Sequence, residues 1–132
     1  MNILIYRYGS ICEPDVITGF EELGNHVHEI TAEIYNKDLL PSEGVTLLKN
    51  ELLAHSYDFV FSINFFPFIS EVCNIFQIRY LCWTVDSPVM ELYSYSIKNP
   101  WNRIFLFDLA QYNEFSPKNP DCIFICRLPA IQ

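Results

Sequence analysis

Positive charge is scarce in this chain. Lys and Arg number 8 against 16 Asp and Glu, leaving a net charge of −8 and a pI near 4.7. The basic residues are scattered from Arg7 to Arg127 and form no run. Such a chain repels phosphate backbones and anionic lipid surfaces, so neither nucleic acid nor membrane is expected as a partner. No apolar stretch reaches the roughly 20 residues of a membrane span. No HExxH, CxxC, GxSxG or P-loop occurs, and there is no repeat, low-complexity tract or linker. The cysteines are odd in number: Cys12, Cys73, Cys82, Cys122 and Cys126. Met1 to Tyr8 reads as a strand rather than a signal peptide, so reduced thiols in a cytoplasmic protein are expected. On a strand, Cys122 and Cys126 would share a face about 13 Å apart, too far for a common metal or a disulfide. A core role is expected for both.

What is present is enough for one packed domain over residues 1–132. Hydrophobic residues make up 51% and charged residues 18%, and a chain of this size buries roughly 68–70% of its unfolded surface. Apolar runs and turn signals alternate from end to end. Asn2–Arg7 reads as a buried first strand. Pro14 suits the first turn of a helix that carries Val16, Ile17, Phe20 and Leu23 on one face and stops at Gly24. Val27–Ile34 is expected as a second strand. Pro41 and Ser42 open a helix with Val45, Leu48 and Leu52 inward. Asp58–Ile63 is a third strand, and Pro67–Phe76 a helix with Ile69, Val72, Cys73 and Phe76 inward. Tyr80–Val85 is a fourth strand, Pro88–Ile97 a short helix and Arg103–Phe107 a fifth strand. In the next helix, Asp108–Phe115, Asp108 and Gln111 have capping-box spacing. Cys122–Cys126 is a sixth strand. This order forces crossovers, and hence an α/β fold with an open, mostly parallel Rossmann-like sheet and helices on both faces. The chain stops soon after the sixth strand, which looks like a boundary where another domain would begin.

In such sheets ligands bind beyond the carboxyl ends of the strands, where the strand order reverses. The loop after the first strand runs Tyr8-Gly9-Ser10-Ile11-Cys12-Glu13-Pro14-Asp15. Its single glycine and its two carboxylates, Glu13 and Asp15, argue against a phosphate cradle, and so against NAD, FAD or ATP here. No cofactor is expected. Glu13 and Asp15 read as complements to the helix dipole; a small turn receiving a neutral, hydroxyl-rich ligand is the functional alternative. After the third strand, Asn64 offers donors and an acceptor, while Phe65 and Phe66 either stack on a sugar face, meet a neighbouring domain or pack in the core. After the fourth, Asp86 binds a hydroxyl or acts as a base, or else Asp86 or Ser87 caps the next helix. His26 and His28 lie at the opposite end of the sheet, and His55 at a helix end. Spacing alone gives no catalytic constellation.

Four segments together resemble a known family: 6–15 (YRYGSICEPD), 57–67 (YDFVFSINFFP), 83–88 (WTVDSP) and 103–108 (RIFLFD). They look like the N-terminal domain of bacterial CgeB-like, spore-maturation-type GT-B glycosyltransferases, and the likeness covers nearly the whole chain. It implies two Rossmann-like domains facing a cleft, with the nucleotide-sugar on the C-terminal one and the acceptor side on the N-terminal one. This chain departs from that pattern in lacking the second domain. Under that reading the strand-end loops give the expected roles: acceptor hydrogen bonding by Ser10 and Asn64, with Gly9 and Ser87 also on the acceptor side, orientation or deprotonation of an acceptor hydroxyl by Asp86, and Phe65 and Phe66 lining the cleft or meeting the second domain. The implied partners are a sugar, glycan or protein acceptor and a donor-binding domain or subunit, and the half-domain is expected to be inactive alone. The other class of reading is a stand-alone flavodoxin-like or receiver-like interaction module. A receiver would need an acidic pair after the first strand and a late Lys at a strand end; Lys118 precedes the last strand instead.

Overall fold

A computed structural model describes residues 1–85 and 90–126. Its elements are β1 (Asn2–Tyr6), α1 (Glu13–Glu22), β2 (His26–Ile30), α2 (Ala32–Tyr35), α3 (Pro41–Ala54), β3 (Phe59–Ile63), α4 (Pro67–Phe76), β4 (Arg79–Thr84), β5 (Asn102–Leu106), α5 (Leu109–Phe115) and β6 (Ile123–Ile125). Short 3₁₀ turns cover Met90–Tyr93, Tyr95–Lys98 and Ser116–Lys118. Proline sits in the first turn of α1, α3 and α4, where a missing N–H costs no intrahelical bond.

The six strands form one all-parallel sheet in the order β2-β1-β3-β4-β5-β6. This is the expected open α/β architecture. The chain steps from β1 outward to β2, then crosses back and fills the other side strand by strand. Right-handed crossovers therefore send α1 to one face and the later helices to the other. The larger core lies on the second face, where Leu48 and Leu52 of α3, Ile69, Val72 and Cys73 of α4 and Phe115 of α5 meet Leu4, Val60, Tyr80, Ile104 and Ile123. On the first face, α1 supplies Ile17, Val16 and Phe20 over Ile3, Ile5, Phe61 and Ile63. Gly44 lets α3 close on its neighbours: a Cβ there would stand 3.3 Å from both the Phe68 ring and the Tyr6 hydroxyl.

Several expected boundaries shift. β2 ends at Ile30, and residues 32–35 coil into α2 instead of extending the strand; Glu33 of α2 accepts a hydrogen bond from the Tyr6 hydroxyl at 2.9 Å. In place of the helix expected over 88–97, the described part consists of two 3₁₀ turns. There the Ser96 and Ile97 carbonyls accept from Asn102 Nδ2 at 2.8 and 3.3 Å, and Asn119 Nδ2 also donates to Ile97 at 2.9 Å. Side chains of later segments thus replace the helix's own ladder. Asp108 caps α5 by accepting from the Ala110 N–H at 2.9 Å. The reciprocal capping-box bond is not made, because the buried Gln111 amide has no hydrogen-bond partner among the described residues. All five cysteines are free thiols; Cys122 is buried, but Cys126, expected in the core, is exposed beyond the end of β6.

Candidate functional site

The order β2-β1-β3 places a switch point between β1 and β3, since the connections leaving their carboxyl ends run to opposite sides. β1, β3 and β4 are neighbours, so the loops carrying Gly9, Asn64 and Val85 share one rim.

Asn64 joins those loops. It adopts a left-handed backbone (φ 63°), a conformation Asn tolerates better than most residues. Its Oδ1 accepts from the Val85 N–H at 3.0 Å and its Nδ2 donates to the Tyr8 hydroxyl at 2.9 Å. Beneath it, the Ser62 hydroxyl donates to the Asn64 carbonyl at 2.7 Å and lies 2.5 Å from the Tyr80 hydroxyl, which accepts from the Phe66 N–H at 3.0 Å. Tyr80 is fully buried, and that burial holds its phenol neutral well above the ordinary range.

The loop after β1 is closed by its own carboxylate. Glu13, only 1% exposed, accepts from the Tyr8 N–H at 2.9 Å, the Gly9 N–H at 3.1 Å and Arg7 Nε at 3.2 Å. These backbone donors are of the kind that a phosphate takes in a nucleotide-binding loop. Glu13 therefore does more than complement the helix dipole. Arg7 bridges on to Glu29 at 2.6 Å; burial opposes its charge, but the two carboxylates outweigh that and raise its pKa. Gly9 takes φ +102°, and Lys37 crosses the loop to bond the Tyr8 carbonyl. The Ser10 hydroxyl accepts from the Cys12 N–H at 3.3 Å.

Of the residues singled out from sequence, Gly9, Ser10, Asn64 and Phe66 come together here, with the Phe66 ring 5.4 Å from Tyr8. Phe65 does not join them. At 1% exposure it packs in the core against Tyr80 with ring centres 5.9 Å apart, so it is Phe66 that faces the rim. Asp86 and Ser87 lie outside the described residues. Tyr8, Arg7 and Lys37 escaped the sequence reading, because only the fold brings Lys37 back over the β1 loop. The histidines gather at the far end, where the His28 and His55 rings stack 6.1 Å apart. Among the described residues no cluster of His, Cys, Asp and Glu is placed to hold a metal, and no helix is long and apolar enough to cross a membrane.

Next to the rim, a cleft of about 420 Å³ opens between α1 and β4, lined by Ile11, Cys12, Asp15, Val16 and Trp83. The Trp83 Nε1–H is buried with no hydrogen-bond partner among the described residues.

No family model, curated protein or solved structure matches this chain.

Proposed function

We propose that this chain is the acceptor-side half of a cytoplasmic, bacterial GT-B type glycosyltransferase, of the CgeB-like kind that its sequence resembles, and that it needs a donor-binding partner to turn over. The observation that carries the reading is the Glu13 carboxylate on the Tyr8 and Gly9 N–H groups. A nucleotide phosphate at the β1 loop would have to displace a buried anion, whereas a neutral, hydroxyl-rich ligand meets no such conflict. In this reading Ser10 and Asn64 hydrogen-bond acceptor hydroxyls beside Gly9 and Ser87, Asp86 orients or deprotonates the reacting hydroxyl, and Phe66 lines the cleft while Phe65 supports it from below.

The test is calorimetry and turnover of the isolated chain with UDP-glucose and UDP-N-acetylglucosamine, together with amide NMR during titration with simple oligosaccharides. No donor binding, no transfer, and shifts confined to Gly9, Ser10, Asn64 and their neighbours are expected. Robust transfer by the isolated chain would refute the half-domain reading, and shifts elsewhere would refute the site.

A second reading has one observation in its favour. The order of the first five strands is that of flavodoxin-like and receiver-like folds. Saturable FMN binding, or a Mg²⁺-dependent rise in melting temperature, would favour a stand-alone module of that kind.

A further inference from the structure

The two faces of the sheet are covered unequally. On the face beneath α1, alternate residues of neighbouring strands fall in a row: Ile63, Trp83, Phe105 and Phe124 are register partners across β3, β4, β5 and β6. Ile63 is 1% exposed beneath α1, Trp83 and Phe105 are half-buried, and Phe124 is 38% exposed. Every helical residue in that face's apolar cluster comes from α1. Among the described residues, no α-helix covers the β4–β6 half, though parallel strands ordinarily have both faces covered. The Phe105 and Phe124 rings stack on each other 5.2 Å apart, an aromatic floor open to solvent at its outer edge. The 420 Å³ cleft between Trp83 and α1 is the inner margin of this opening.

We propose that the open half-face is a docking groove for one amphipathic α-helix of a partner polypeptide, lying antiparallel to the strands. The dimensions fit one helix. From β4 to β6 is two strand spacings, about 10 Å, close to the diameter of a helix; β4 and β5 are long enough to seat about three helical turns and β6 about two. The flat footprint of roughly 200 Å² is the width and length of one short helix, whereas two rigid copies meeting stably would need a flat contact of roughly 800 Å² per partner. A helix gains further area from the α1 wall.

The charges set its direction. Asp15, exposed, lines the cleft at the groove's inner margin, at the carboxyl end of the strands. At the other end, exposed Arg79 and half-buried Arg103 stand on the same face by the alternation of β4 and β5. Arg103 Nη1 donates to the Pro100 and Asn102 carbonyls, at 2.8 and 2.6 Å, which keeps its guanidinium at that amino end. A helix with its positive N-terminus by Asp15 and its negative C-terminus by the arginines satisfies both ends. That is also the direction in which the crossover helices of a parallel sheet run.

The full chain carrying Trp101→Phe, which leaves Trp83 as the reporter, would be titrated with a stapled model helix of about 15 residues. This peptide has a Leu stripe, Lys at its N-terminal flank and Glu at its C-terminal flank. A control peptide has the same stripe with both flanks acidic. Saturable quenching or shift of Trp83 emission by the first peptide is expected. Phe124→Asp should weaken binding at least about tenfold, by loss of a buried ring. Ile125→Asp, on the opposite side of β6, should leave it unchanged. Exposed Asp15→Lys should remove the preference for the first peptide over the control and flatten the salt dependence. No binding, equal binding to wild type and Phe124→Asp, or a preference that survives Asp15→Lys would overturn the proposal. A wild-type dimer in sedimentation that Phe124→Asp dissolves would overturn it in favour of a second copy. None of these readouts uses sugar or nucleotide, so failure here is separate from failure of the glycosyltransferase reading.

Discussion

The side-chain amide of Asn64 donates to the Tyr8 hydroxyl at 2.9 Å across 56 residues of sequence, and the same side chain holds the Val85 N–H at 3.0 Å. One residue thus ties together the ends of three adjacent strands while standing in a left-handed backbone conformation. Asn64→Ala should destabilise the fold by about 2–3 kcal/mol, through an unpaired Val85 N–H and backbone strain. Asn64→Gly, free of the strain, should lose about 1 kcal/mol less. Urea unfolding of the two variants checks both the size and the order.

Glu13→Ala leaves the Tyr8 and Gly9 N–H groups and Arg7 without their shared anion. A loss of about 3 kcal/mol is expected, with Glu13→Gln intermediate because a neutral acceptor is weaker than a charged one. The alanine variant should also acquire a site for a small anion. Inorganic phosphate should raise its melting temperature while leaving that of the wild type unchanged. A phosphate response of equal size in both proteins would show that Glu13 does not occupy the anion position.

Alkali should weaken the fold through its buried thiols. Burial pushes Cys73 from an ordinary 9.0 up to about 12 and pushes Cys82 further up. A group whose pKa rises on folding contributes its stability below the unfolded pKa and loses it as the pH climbs toward the folded one. Stability should therefore be flat to about pH 9 and then fall, with a slope approaching roughly 1.4 kcal/mol per pH unit for each buried thiol. Cys73→Ala,Cys82→Ala should flatten that limb in melts recorded from pH 7 to 10, below the range in which the buried Tyr80 phenol adds its own loss. With a thiol reagent at pH 8, exposed Cys126 should react first and Cys73 and Cys82 only on unfolding.

Gly44 tests the packing of α3 onto the rest of the domain. With 3.3 Å from its notional Cβ to both Phe68 and Tyr6, Gly44→Val should cost about 2 kcal/mol or more, despite valine's better helix propensity. Gly19 of α1 has nothing within 4 Å, so Gly19→Ala should be neutral or stabilising by up to about 1 kcal/mol. Thermal melts should place Gly44→Val below the wild type and Gly19→Ala at or above it.

The amino-acid sequence by itself determined the order of strands and helices, because the strands of the sheet are short apolar runs and proline and glycine punctuate what lies between them. Asn2–Tyr6, Phe59–Ile63 and Asn102–Leu106 were legible within a residue or two for that reason. It also marked the loops at the strand ends, since an α/β sheet leaves few other places for a ligand. Only the tertiary structure decided how those loops are used. Phe65 and Phe66 are adjacent and alike in sequence, yet one is sealed against Tyr80 and the other turned to Tyr8, because the extended backbone at Phe66 sends successive side chains to opposite sides. Glu13 sits where a dipole complement would sit, and its capture of two backbone N–H groups follows from the curl of the loop rather than from its position in the chain. The aromatic half-face that no described helix covers was equally hidden, because strand alternation says which residues share a face, whereas the presence of a helix above them is fixed by the direction in which the chain crosses.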